Sequence, residues 1–290
     1  MKEYLSAFLD NFAYSKEDSQ ALLEAYDKIN EKAEPRAIFN TALKIYEESY
    51  DCNYNKILEL SKDAGALSDV HEYTAQLLVF MCMSRELKER YMDKGIDLSI
   101  YENSMLDLKY KLEECKIVKG ICGSFVAGWF VGFFNLTRFA LGRLQFEISE
   151  LWGEYKTETK FLPDKAKVIN VHIPRSGTPI DKASCDEAYE MALNHFKDKT
   201  DTGAFVCYSW LLYPENENLF PKHTNMYRFF KEFDVYKSGD SEDNGDLWRL
   251  FDTDEKDVDK LPADTSVRRA YVEHLKNGGK TGWGYGIQFR

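Results

Sequence analysis

The 290-residue sequence is poor in the features that mark several common protein classes. It has only seven prolines and no low-complexity tract, so long polyproline linkers and disordered repeats are excluded. Its six cysteines, Cys52, Cys82, Cys115, Cys122, Cys185 and Cys207, include no C-x-x-C pair. Most fall within apolar patterns, which predicts reduced core thiols instead of disulfides or zinc ligands. Positive charge is also scarce: 38 Lys and Arg face 49 Asp and Glu, a net charge of −11. With no Lys/Arg stripe to displace counterions from a phosphate backbone, nucleic acid is not expected as a partner. A basic n-region followed by an apolar h-region is missing after Met1, so the reading expects a cytoplasmic protein. No nucleophile elbow, Walker loop or H-E-x-x-H occurs, and His71, His172, His195, His223 and His274 lack metal spacing; no metal is expected.

What is abundant is apolar and aromatic material, 44% and 14% of the chain, enough for a core in each of two domains. One stretch, residues 120–137 (GICGSFVAGWFVGFFNLT), carries no charge over a length that borders on a membrane span. Its four glycines and flanking Lys119 and Arg138 shorten the apolar core, so a buried helix is the expectation, with no membrane partner. A second bias lies near the C-terminus: Asp240, Glu242, Asp243, Asp246, Asp252, Asp254, Glu255, Asp257 and Asp259 form an acidic stretch. It reads as a solvated loop or, alternatively, as a field attracting a cationic amine.

The first half repeats apolar residues at helical spacing behind start signals. Ser15 and Asp18 approximate a capping box ahead of Leu22, Leu23, Tyr26 and Ile29. Pro35 suits a first helical turn before Phe39, Leu43 and Tyr46. Ser68 is expected to precede a long helix that Gly95 ends, and a further helix is expected over about 99–117. Around Arg138 the period changes from 3.6 to 2, and sheet begins. Expected strands are 142–148, 154–160, 168–173, 205–212, 233–237, 247–251 and 282–289. Helices are expected at 181–197, 225–232 and 265–276, with a glycine-containing turn at 174–179. The resulting fold class is α+β: an all-helical N-terminal bundle over 1–136, then a mixed α/β domain over 137–290.

That element order resembles the core of GNAT-type N-acyltransferases. The words Leu141-Gly142-Arg143-Leu144-Gln145-Phe146-Glu147, His172-Ile173-Pro174 with Ser176-Gly177-Thr178-Pro179, and Ser209-Trp210-Leu211-Leu212 with Asn225 reinforce it. Together they look like the bacterial family with a helical N-acyltransferase-type N-terminal domain and a GNAT-like C-terminal domain. The resemblance implies transfer of an acyl group, with acetyl expected, from acetyl-CoA or another acyl-CoA as co-substrate. The acceptor would be a small-molecule or peptide amine; oligomeric state is left open.

The resemblance also assigns roles. Arg175, Ser176, Gly177 and Thr178 occupy the turn that meets the coenzyme A pyrophosphate, where free amides, a helix start and a cation favour an anion, and Asn225, which opens the helix after the fifth strand, is a further cofactor-binding candidate. A tyrosine there commonly protonates the departing thiolate, but alignment places Phe230 at that position. Tyr227 and His223 are the possible substitutes. Glu147 and His172, on the polar faces of central strands, are the candidate bases. Tyr208, Trp210 and Trp283 are candidate walls of an acceptor pocket. The rival reading is a non-catalytic binding or interaction protein on a degenerate GNAT-like fold, which Phe230 and the single-glycine turn favour.

Overall fold

The computed structural model describes residues 1–290 apart from the side chain of Asp243, so that member of the acidic stretch lies outside the described residues. The chain divides into two compact units, Met1–Phe139 and Ala140–Arg290.

The first unit is helical: α1 (Lys2–Asn11), α2 (Lys16–Glu31), α3 (Ala33–Glu48), α4 (Tyr54–Leu67), α5 (Glu72–Asp93), α6 (Leu98–Lys119) and a short α7 (Val131–Phe134). Ser15 Oγ accepts from the Asp18 N–H at 3.0 Å, so the capping signal does start α2. Gly95, at φ +64°, supplies the left-handed residue just beyond α5. Leu77 to Met83 are buried without interruption, which makes α5 the central helix of the bundle. Its start differs from the expectation: Ser68 closes α4, and His71 caps α5, its Nδ1 accepting from the Tyr73 N–H at 3.1 Å.

The uncharged stretch is not one helix. Gly120 ends α6 at φ +68°, and helical structure resumes only at Ala127. The backbone between is laced to the start of α5, with Ser124 N–H donating to Tyr73 O at 3.0 Å and Thr74 Oγ1 to Cys122 O at 2.7 Å. Gly123 permits this approach, since a Cβ there would lie 2.5 Å from the Tyr73 backbone. Phe130 and Phe134 then pack against Phe80, with ring centroids 5.3 and 4.8 Å apart. Among the described residues no helix is long and apolar enough to cross a membrane.

The second unit is built on a six-stranded mixed sheet. Its strands are β1 (Arg138–Leu141), β2 (Leu144–Glu150), β5 (Lys167–His172), β6 (Ala204–Ser209), β7 (Asp234–Asp240) and β8 (Gly282–Phe289), in the spatial order β1-β2-β5-β6-β8-β7. Two further strands, β3 (Tyr155–Lys156) and β4 (Phe161–Leu162), form a separate hairpin. The helices are α8 (Lys182–Phe196), α9 (Asn216–Leu219), α10 (Asn225–Lys231), α11 (Leu247–Phe251) and α12 (Ser266–Lys276). Residues 247–251, expected as strand, are thus a short helix. Five residues are too few for their apolar pattern to distinguish the two.

Because side chains alternate along strands, the sheet has two chemically distinct faces. Phe146 and Phe205 point to one, where the Tyr189 ring of α8 lies 5.9 and 4.9 Å from theirs. On the opposite face Leu151, Tyr155, Val168, Ala204, Val206, Tyr285 and Ile287 form an apolar cluster. Full burial stabilises by about 1.5–3 kcal/mol per large side chain, so this cluster anchors that face. The glycine–aromatic alternation of β8 follows from the same geometry. Trp283 and Tyr285 join the cluster, while on the α8 face a Cβ at Gly282 would lie 2.2 Å from Tyr213 and one at Gly284 2.0 Å from Leu212 O.

Candidate active site

The strand pair β2 and β5 sets the polar centre of the second unit. Antiparallel register pairs Gln145 with His172 and Glu147 with Asn170, so Glu147, Asn170 and His172 emerge side by side opposite α8. His172 Nε2 lies 2.7 Å from Glu147 Oε1, with both side chains less than one-fifth exposed (18% and 19%). Asn170 Nδ2 is 3.3 Å from the same Glu147 oxygen and 3.2 Å from His172 Nε2. Among the described residues Asn170 Oδ1 is buried without a hydrogen-bond partner, leaving an acceptor beside the pair. The sequence had placed Asn170 on the polar face with His172 without assigning it to the site; the cross-strand register is what brings it to Glu147.

Beside this pair the register between the parallel strands β5 and β6 is short. The parallel ladder of β5 and β6 registers Ile169 with Phe205 and Asn170 with Val206. Past the last registered pair, β5 runs on through Val171 and His172, and β6 through Cys207, Tyr208 and Ser209. The carboxyl ends of neighbouring parallel strands are where open α/β sheets commonly take up ligands.

The chain leaves β5 through the turn at Pro174–Pro179, which Arg143 holds. Its guanidinium donates to Pro174 O at 3.1 Å, Thr178 O at 2.9 Å and Pro179 O at 3.0 Å. Gly177 adopts φ +74°, and the space where a Cβ would project is open. No described protein group accepts from the N–H groups of Ser176 or Gly177, while Ser176 Oγ and Thr178 Oγ1 lie 2.7 Å apart. Free amides at a glycine turn suit an anion.

Two parts of the expected anion site are otherwise engaged. The start of α8 is separated from Gly177 by Thr178, Pro179, Ile180 and Asp181, and Asp181 caps it, accepting from Ser184 N–H at 3.1 Å. Hydrogen bonds from Ser184 hold the Asp181 carboxyl below the usual range, so an anion already occupies the helix end. Arg175 is paired with Asp252, which also receives Arg268 Nη2 at 2.7 Å. Its positive charge is therefore shared with a carboxylate.

The remaining candidates divide by position. Asn225 is the exposed first residue of α10, and Thr224 is its cap, accepting from Tyr227 N–H at 3.2 Å. Arg228 of the same helix reaches Ile180 O, and Phe233 just beyond it lies against Gly286, so α10 packs on the α8 face. Tyr227, whose ring is 6.4 Å from that of Phe230, is thus not brought to Glu147 and His172. His223 is exposed and Phe230 buried. Trp210 lies past the end of β6 with its ring edge-on to Phe220 at 6.1 Å, whereas Tyr208 stacks on Trp283 at 5.0 Å on the face that carries His172. Within the acidic stretch Asp240 pairs with Lys280, Asp246 with Arg249, Asp257 with Lys260 and Asp259 with Lys276.

Comparison with known proteins agrees with this architecture. Residues 3–136 match the N-acyltransferase N-terminal domain, and residues 138–288, more than half of the chain, match the GNAT-like C-terminal domain. No curated protein matches the sequence. Similar solved structures include an acyltransferase in complex with decanoyl-CoA, 16% identical, with a TM-score of 0.76 over 97% of this chain and 86% of that one. A mutant acyltransferase in complex with octanoyl-CoA is also 16% identical, with a TM-score of 0.78 over 99% and 88%. An acyltransferase in complex with decanoyl-CoA and teicoplanin gives 0.70 at 16% identity over 97% and 86%. The chain belongs to the N-acyltransferase family in which an N-acyltransferase N-terminal domain precedes a GNAT-like C-terminal domain.

Proposed function

We propose that this protein transfers an acyl group from acyl-CoA to an amine, with Glu147 and His172 taking up the amine proton. The observation that carries the reading is the position of the Glu147–His172 pair beside the point where the β5–β6 ladder ends. A thioester bound there would present its carbonyl to backbone N–H groups of the β5 end. The amine nitrogen forms the new C–N bond, and the C–S bond breaks. The amine proton passes to the pair, and the departing thiolate takes a proton back from His172. This relay suits a chain with Phe230 at the usual tyrosine position and Tyr227 on the other side of the sheet.

Open amides at Ser176 and Gly177, with Arg175 alongside, would receive the coenzyme A diphosphate. Asn170 Oδ1 would accept from the incoming amine. The solved relatives hold octanoyl- and decanoyl-CoA, which widens the expected donor from acetyl to longer acyl groups. The teicoplanin complex supports a small-molecule acceptor.

The test is a thermal melt with coenzyme A and with acetyl-, octanoyl- and decanoyl-CoA, followed by amine-dependent thiol release. A ligand at a hundred times its Kd adds about 2.7 kcal/mol of stability, enough for a clear rise in Tm. Failure of all four to shift the melt would sink the reading.

A further inference from the structure

Aromatic side chains on the sheet face that carries His172 form a built platform. Tyr208 stacks on Trp283 with centroids 5.0 Å apart and planes 29° from parallel, and Trp283 stacks on Trp152 at 5.5 Å and 30°. The outer rings remain half exposed, Trp152 at 51% and Tyr208 at 53%. Backbone features fix them in place. Gly239 lets the Trp283 indole lie against β7, where a Cβ would come within 2.9 Å of the ring. The Trp152 N–H donates to Tyr285 Oη at 3.3 Å.

Position gives the platform a use. Since Asn170 is in register with Val206, His172 and Tyr208 stand level two residues further on, on adjacent strands. Trp283 comes from β8, on the far side of β6 from β5, and covers the ring face turned that way. Tyr208 is still 53% exposed, and β5, which carries His172, borders β6 on the side away from β8. Neighbouring strands lie about 4.8 Å apart, so a flat ring against Tyr208 would leave room for one or two carbons before the pair.

The geometry points to an aromatic subsite for the acceptor: the open face of Tyr208, backed by Trp283 and Trp152, takes a planar ring whose primary amine, one or two carbons away, reaches Glu147 and His172. The acceptor class is then an arylalkylamine. This assignment rests on the acyl-transfer reading above. Ring stacking favours such an acceptor over an alkylamine of similar length by about 2- to 10-fold.

The experiment compares kcat/KM for phenethylamine and n-butylamine with octanoyl-CoA in the full chain, and measures phenethylamine binding separately by tryptophan fluorescence. The expected result is a preference for phenethylamine that Tyr208→Leu reduces to about one and Tyr208→Phe retains, with melting curves establishing that both variants fold. An aryl-to-alkyl ratio of about one in the unaltered protein, or a preference that survives Tyr208→Leu, overturns the subsite. If no amine is acylated with any acyl-CoA, it is the acyl-transfer reading that fails. The subsite is then judged on binding: phenethylamine affinity lost in Tyr208→Leu and kept in Tyr208→Phe supports it, and absent or unaltered binding overturns it.

Discussion

Glu147 Oε1 and His172 Nε2, 25 residues apart in sequence, meet at 2.7 Å because antiparallel register places their strands' polar faces together. If this pair receives the amine proton, its removal lowers turnover without abolishing the fold. Glu147→Gln and His172→Gln are each expected to reduce kcat by about 10²- to 10⁴-fold, the range for a lost general base. The base must be unprotonated to act, so activity falls as pH falls, and this acidic limb should flatten or move in Glu147→Gln. Initial-rate pH profiles check it. An unaltered acidic limb in both variants would remove the pair from the proton transfer.

Arg143 supports the coenzyme A turn through three carbonyls without sitting in it. Arg143→Ala should raise KM for acyl-CoA more than it lowers kcat. Loss of these charge-assisted bonds is also expected to destabilise the chain by about 1–3 kcal/mol. Gly177→Ala separates the two effects: its Cβ meets no neighbour, but φ +74° costs a non-glycine residue about 1–2 kcal/mol. Denaturant melts and acyl-CoA titrations of both variants give the comparison.

How much of this was legible beforehand depends on whether the signal was local. Ser15 with Asp18 and the alternation of Leu144, Phe146 and Ile148 are local signals, and each corresponds to the element found. Residues 120–126 misled because lack of charge indicates burial without specifying a helix; their backbone is satisfied by Tyr73 and Thr74, some fifty residues upstream. Polar faces at Glu147 and His172 were readable, but their register was not. Arg175 looked like a free cation because Asp252, 77 residues later, is brought to it only by the fold.

The glycines of β8 give a sharp steric prediction. At Gly284 a Cβ would lie 2.0 Å from a backbone oxygen, which cannot move aside as a flexible side chain can. Gly284→Ala should destabilise by about 3 kcal/mol or more. Gly278→Ala serves as the comparison, having φ +82° but open space, and should cost only the backbone penalty of about 1–2 kcal/mol. Similar losses in the two variants, measured by urea unfolding, would remove the close approach as the reason for the alternation.

Burial governs the thiols. It pushes Cys82, Cys207 and Cys122 up to about 12, and for Cys122 the nearby Asp18 carboxylate adds to the effect. Cys122 is not fully buried, so its reactivity tests charge as well as access. At pH 8 a thiol titrating near 12 holds about a thousandth of the thiolate of one titrating near 9, and alkylation should be slower in proportion. Asp18→Asn removes a negative neighbour and leaves Lys116 less neutralised, both of which lower the Cys122 value; its alkylation should accelerate several-fold. The sign for stability follows from the same shift. These thiols stay protonated in the fold while the unfolded chain ionises them above about pH 9, so their contribution is full below that pH and is lost progressively toward pH 12. Mass-spectrometric alkylation rates at pH 8 and 9, with and without Asp18→Asn, decide the matter: equal Cys122 rates in the two proteins would exclude Asp18 as a cause.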